Sequence, residues 1–320
     1  MRALALTLIG IAATSSLLAQ TRFTSGTAAV RVDVLVTHRN QPVTGLTAAD
    51  FELRDNGVLQ RITDVSQETL PLNVICVIDL SGSMSGGPLA QLKDATLAVV
   101  DALDQLDRAA LVTFTQRLRL HAPLTGDRER LRALIARVEA GGATSVIDAA
   151  FAGLALREAD DGRTLMLLFS DGRDTASWLT ARAVLDAARR TDVVIYPVTL
   201  AVYIPAPTVN RSGFSTADPR QAQAVAIAEV GERLLKAFAD ETGGRLVYAN
   251  NEATLRSTFI HVLSEFRQRY VLSYTPDGVS GESWHTVDVR LKGKSGQVKA
   301  RRGYFATAIS RDAAAKAPPK

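Results

Sequence analysis

The sequence predicts an α/β protein: a doubly wound, mostly parallel sheet with helices on both faces, and beside it a small β module formed by the two ends of the chain. Three observations carry this. Between Leu70 and Glu265, apolar strand-like runs alternate with stretches of helical periodicity, the pattern of parallel strands joined by crossover helices. Before and after that span the hydrophobic period is two. With 320 residues and 47% hydrophobic content, the chain can bury a large core and a smaller one, whereas neither β end alone carries enough apolar surface to fold separately.

In chain order, residues 1–20, "MRALALTLIGIAATSSLLAQ", place one charge at Arg2 before an apolar run and small residues. This reads as a secretory signal peptide cut near Ala19 or Gln20, with an apolar part shorter than a bilayer span needs. No cysteine follows it to carry a lipid anchor. The lone Cys76 lies inside an apolar strand and reads as a small core residue with no disulfide partner.

Residues 21–70 form the N-terminal β segment. Val30, Val32, Val34 and Val36 share one face and Arg31 and Asp33 the other. "FELRDNGVLQRI" then alternates around Asn56-Gly57, a pair suited to a tight hairpin.

Residues 71–265 form the central domain. The continuous apolar strand Val74 to Ile78 precedes a helical stripe of Leu89, Leu92, Val99, Leu103 and Leu106. "AALVTF", "RTLMLLF" and "DVVIYPVTL" read as strands; "RERLRALIARV", a segment from about Ser145, "TARAVLDAARR" and "GERLLKAFADETGG" read as helices, the last with a glycine stop. The Pro-, Ser- and Thr-rich stretch 202–220 reads as a long mobile surface loop.

In the C-terminal β segment, 266–306, alternation puts Val287, Val289, Leu291 and Val298 inward and Arg290, Lys292, Lys299 and Arg301 outward onto a solvated face. The tail 307–320 reads as disordered. The net charge of +4, from 37 basic and 33 acidic residues, is mild and points away from nucleic acid as a partner.

One stretch breaks this pattern. "VICVIDLSGSMSGG" ends a buried strand in a tip of oxygen-bearing and very small residues. Ligands of open parallel sheets collect at the carboxyl ends of the strands. There Asp79, Ser81 and Ser83 can point into one small volume, because Gly82, Gly86 and Gly87 let the chain curl. Carboxylate and hydroxyl oxygens suit a hard divalent cation such as Mg²⁺, with Mn²⁺ and Ca²⁺ as alternatives. Two further segments offer oxygens: Thr144 in "GGATSVIDAA", where a glycine loop feeds a helix, and Asp171 in "LMLLFSDGRDT", just past another buried strand. Taken singly, Asp79 reads as a turn residue or helix cap, the serines as loop residues and Thr144 as a cap. Their coincidence favours a metal site. Asp174 and Thr175 read as caps of the segment that follows.

The order Asp-x-Ser-x-Ser, a distant threonine and an aspartate in "FSDG" resembles the metal-ion-dependent adhesion site of von Willebrand factor type A domains, over about Leu70 to Glu265. The resemblance implies the Rossmann-like fold of that family. It also implies hydroxyl ligation by Ser81, Ser83 and Thr144, with Asp79 and Asp171 acting largely through water. The flanks, with "PVTGLTAADFEL", "RQRYVLSYTP" and "RRGYF", resemble a bacterial subgroup of secreted von Willebrand type A-related proteins. The expected function is cation-dependent protein binding, as an adhesion or scaffold module in the periplasm or outside the cell. A partner's Asp or Glu would take the open coordination position.

Two other classes compete. A metal-dependent phosphohydrolase on a similar sheet carries a second carboxylate two residues after the first, a place held here by Ser81. A structural envelope module would bind no metal. A serine hydrolase is disfavoured because no Gly-x-Ser-x-Gly occurs. His38, His121, His261 and His285 fall in separate segments and read as surface residues.

Overall fold

The computed structural model of the protein describes residues 29–67, 70–158, 162–200, 219–279 and 283–306. The expected signal peptide and C-terminal tail lie outside them, as does most of the stretch 202–220. Its last residues, Pro219 and Arg220, already belong to a helix.

In chain order the strands and helices are β1 (Val30–His38), β2 (Gln41–Pro42), β3 (Phe51–Asp55), β4 (Val58–Gln60), β5 (Ile62–Ser66), β6 (Leu72–Asp79), α1 (Gly87–Asp101), β7 (Arg108–Phe114), β8 (Leu118–Thr125), α2 (Arg128–Ala136), α3 (Val146–Ala155), β9 (Arg163–Phe169), α4 (Ala181–Ala188), β10 (Val194–Leu200), α5 (Pro219–Thr242), β11 (Val247–Ala249), α6 (Leu255–Arg267), β12 (Tyr270–Tyr274), β13 (Trp284–Leu291), β14 (Gln297–Ala300) and β15 (Gly303–Phe305).

The central sheet runs β11-β10-β9-β6-β7-β8. Its first five strands are parallel; only β8 is antiparallel. β6, β7, β9 and β10 are apolar on both faces because both are covered, while the edge strand β11 leaves Tyr248 exposed. In β6, Val74, Cys76 and Ile78 pack with α1, α2 and α6, while Ile75 and Val77 pack with α3, α4 and α5. Burial at about 25 cal/mol per Å² of apolar surface makes these two layers the main stabilising force of the domain. Cys76 is buried and free, as the sequence suggests.

The chain's two ends interleave in a second body. One sheet has the order β14-β1-β12-β5 with β2 on β1, the other β15-β13-β3-β4, so strands from before and after the central domain pair directly. Val30, Val32, Val34, Phe51, Leu53, Leu272 and Val289 fill the space between the sheets. The β3–β4 hairpin turns at Asn56 (φ 47°) and Gly57 (φ 81°), the left-handed pair that a two-residue hairpin requires.

Four sequence expectations need correction. α1 ends at Asp101, so Leu103 is buried beyond the helix and Leu106 is 72% exposed. The segment Leu118–Thr125, absent from the expected strands, forms the edge strand β8, with Leu118 and Leu120 exposed and Ala122 and Leu124 buried. Arg301 does not point to solvent. It follows the end of β14 and donates to the Gly303 and Arg189 carbonyls at 2.5 and 3.1 Å. Burial depresses its guanidinium while Asp192 and Asp33 favour its charge. His285 is buried rather than superficial, 3% exposed, with Nδ1 2.8 Å from Asp55 Oδ1. Tyr274 and Tyr304 both donate to Asp55 Oδ2 at 2.9 and 2.7 Å.

Candidate metal centre

β6 delivers the first loop. The strand is buried to its last residue, Asp79, which is 2% exposed. Asp79 Oδ1 accepts from the Ser81 backbone N–H at 2.8 Å, an Asx turn that bends the chain off the strand axis. One 3-10 turn, Gly82–Met84, follows, and Met84 plugs it into the core. The serine hydroxyls of Ser81 and Ser83 end 3.2 Å apart.

The second loop is laid onto the first. The Gly141 N–H donates to Leu80 O at 2.7 Å, and the Gly82 N–H to Gly142 O at 3.0 Å. Thr144, 8% exposed, has its backbone N–H bonded to Thr175 Oγ1 at 3.1 Å. Among the described residues its hydroxyl makes no hydrogen bond.

The third loop follows β9. Ile78 and Phe169 are register partners, so Asp79 and Ser170, the next residue on each chain, stand side by side. Ser170 Oγ donates to Asp79 Oδ2 at 2.8 Å and accepts from the Gly172 N–H at 3.0 Å. Asp171 Oδ1 accepts from the Arg173 N–H at 2.9 Å.

The structure therefore places the five residues singled out in the sequence on three mutually hydrogen-bonded loops. Sequence reasoning missed Ser170, whose role depends on the pairing of two strands distant in the chain. It also misplaced Asp174 and Thr175. Asp174 Oδ1 accepts from the Ile147 N–H at 3.4 Å and from Ser177 Oγ at 2.6 Å, serving the start of α3. Thr175 and Ala176 donate their backbone N–H groups to Thr144 O at 2.9 and 3.0 Å. The following helix, α4, is capped by Thr180 instead.

Burial pushes the Asp79 carboxyl above the usual carboxylate range. Hydrogen bonds from Ser81 and Ser170 oppose the shift, and the charge of Asp171 adds to it. Among the described residues neither carboxylate forms an ion pair with a base. The three joined loops carry two carboxylates and three hydroxyls, a donor set that fits a hard divalent ion. No cluster of three His, Cys, Asp or Glu side chains suited to a metal occurs among the described residues, so a site here draws on hydroxyls. The histidines are engaged elsewhere: His121 Nε2 lies 2.8 Å from Thr113 Oγ1, His261 Nε2 3.2 Å from Arg245, and His285 on Asp55.

A doubly wound sheet with an aspartate, serine and threonine cluster at its carboxyl edge defines a class of ligand-binding α/β domains. Within that class, residues 74–173 match the von Willebrand factor type A domain. Members of that domain family often act as metal-dependent adhesion or protein-interaction modules. An uncharacterized protein of Synechocystis is 32% identical over 117 residues, covering 35% of this chain and 27% of that one. Bovine inter-alpha-trypsin inhibitor heavy chain H4 is 27% identical over 163 residues, covering 47% of this chain and 17% of its own length. The chain thus matches under a third of either relative.

Among solved structures, a von Willebrand factor type A protein from Catenulispora acidiphila aligns with 87% of this chain and 78% of its own at 15% identity and a TM-score of 0.45. Proximal thread matrix protein 1 from the mussel byssus, with a zinc-occupied adhesion-site motif, aligns with 65% and 48% at 15% identity and a TM-score of 0.49.

Proposed function

We propose that the chain is a non-catalytic, divalent-cation-dependent protein-binding module of the bacterial envelope or exterior. One observation carries the reading. Asp79 is a nearly inaccessible carboxylate, held by Ser81 and Ser170 and within the field of Asp171, and among the described residues no base pairs with either. Burying such a charge uncompensated is costly, and a cation held with Ser81, Ser83, Thr144 and Asp171 would remove the cost. A bound Mg²⁺, or Mn²⁺ or Ca²⁺, would supply an acceptor site for one more oxygen. An Asp or Glu side chain of a partner protein adds both that oxygen and a compensating charge.

The apolar leader at residues 1–20 supports export to the periplasm or beyond. Among the described residues no helix is long and apolar enough to cross a membrane. The flanking β segments support membership of the secreted bacterial subgroup, and the proposed units are 21–70, 71–265 and 266–306.

The test is calorimetric titration of Mg²⁺ into wild type and Ser83→Ala. Ser83 is exposed and its loss removes an oxygen but no charge, so the variant should keep its fold and lose the Mg²⁺ heat. Equal Mg²⁺ binding by both proteins would remove the first loop from the site.

A further inference from the structure

Beside the three loops lies a cleft of about 390 Å³ walled by the β7–β8 turn and the segment after α2. Leu80, the residue after Asp79, forms part of its floor. Gln116 lines it and also accepts the Ala143 N–H at 2.9 Å, next to Thr144. Thr115, another wall residue, accepts the Ser145 hydroxyl at 2.6 Å. The wall of the cleft is therefore hydrogen-bonded to the residues on either side of Thr144, and its floor continues from Asp79.

The charges in this cleft are one-sided. Arg117, Arg119 and Arg137 line it, opposed by Glu139 alone. All three arginines are exposed and, among the described residues, none pairs with a carboxylate. Many other arginines of the domain are paired: Arg132 with Asp101, Arg157 with Asp192, Arg245 with Glu265 and Arg267 with Asp107. Guanidinium groups left free around a concave site suit carboxylates, which they bind through paired N–H donors.

We propose that this cleft is a second contact for the partner: it takes an acidic protein segment, with one carboxylate of that segment at the metal centre and neighbouring ones among Arg117, Arg119 and Arg137. The proposal rests on the protein-binding reading of the centre. This adjacency favours a peptide over other polyanions, because Asp and Glu side chains along one extended segment can serve two neighbouring places. A sulfated glycan would satisfy the arginines alone, and an anionic lipid surface is too flat to follow a concave wall.

The experiment uses the full chain and fluorescein-labelled poly-L-glutamate, read by fluorescence anisotropy. Wild type, Ser83→Ala, the triple variant Arg117→Ala/Arg119→Ala/Arg137→Ala and the corresponding triple lysine variant are each titrated with Mg²⁺ and with chelator. Heparin and phosphatidylglycerol vesicles serve as competing probes. Thermal melts check folding, and the lysine variant retains the charge should the alanine variant fail to fold.

Three exposed charge contacts together account for roughly a tenfold change in affinity. The alanine variant should therefore bind about tenfold more weakly with and without Mg²⁺. The lysine variant should fall in between, because it keeps the charge and loses the paired donors. Ser83→Ala should lose only the Mg²⁺-dependent increment. Wild-type affinity in the folded alanine triple overturns the proposal. So does a result in which the arginines govern heparin or vesicle binding but not poly-L-glutamate. An arginine effect with no Mg²⁺ effect supports the cleft while removing the metal reading, and a Mg²⁺ effect with no arginine effect does the reverse.

Discussion

At Asp79 the demands of the fold and of the proposed function oppose each other. Its carboxyl is raised above the usual range chiefly by burial, with Asp171 adding to the shift. A carboxyl with a raised native value holds its proton longer in the folded state than in the unfolded chain. Its destabilising contribution is therefore absent below the unfolded value and grows as pH rises through the native one. Without metal, Asp79→Asn should accordingly melt higher than wild type at neutral pH and lose part of the stability decline between the acid range and neutrality. With saturating Mg²⁺ the order should reverse, since a ligand that binds only the folded state stabilises it by mass action. Differential scanning calorimetry across pH, with and without Mg²⁺, measures both effects. The oxygen-bearing residues were legible because each sits in a short local pattern at the end of an apolar strand. Ser170 was not, because only the register of β6 against β9 brings it to Asp79.

At the scale of elements, the position of the third loop depends on α5. Gly172 has φ +75°, and a Cβ on it would meet Gly231 O of α5 at 2.4 Å; a Cβ on Gly231 would meet Asp171 O at 2.7 Å. Backbone here lies directly on backbone, so no side chain can yield. Gly231→Ala should force the helix and the Asp171 loop apart, at about 1–3 kcal/mol by analogy with overpacked cores, despite alanine's better helix propensity. Urea denaturation should show that loss, and the Mg²⁺ heat should fall with it because Asp171 is displaced. The parallel strands and most helices were readable from period, as burial on both faces or on one stripe leaves a strong pattern. β8 escaped although Leu118, Leu120, Ala122 and Leu124 alternate along it, because Pro123 argues against a strand interior and Leu118 and Leu120 lie exposed on the edge of the sheet. Leu103 and Leu106 continue the apolar spacing of α1 past its end, so spacing alone overran the helix.

At the scale of the molecule, the two bodies are joined by buried charge as well as by the chain. Asp33 on β1 accepts from Arg163 Nε, at the start of β9, at 3.0 Å, and lies 3.7 Å from Arg269 Nε. Arg269 is fully buried. Its other nitrogens donate to the Tyr196 hydroxyl at 3.0 Å and to the Gly243 and Asp33 carbonyls at 2.9 and 3.1 Å. Burial and the interaction with Arg269 are among the opposing influences on Tyr196, and burial prevails, raising its hydroxyl. Asp33 thus supplies the carboxylate for two guanidinium groups at the seam between the β module and the central sheet. Removing one member of a buried pair leaves the other charge uncompensated, at about 3–5 kcal/mol, so Asp33→Ala should lower the melting temperature sharply. Asp64 lies exposed on β5 of the same module, and Asp64→Ala should change stability by no more than about 0.5 kcal/mol. The location of the loss can be read from proteolysis of the folded variants. If Asp33 locks the seam, Asp33→Ala should be cleaved first where β1 and β12 meet the central domain, while the Mg²⁺ heat of the surviving central domain stays near wild type. Equal stability of the two variants would show that the interleaved strands hold the bodies together without the charges.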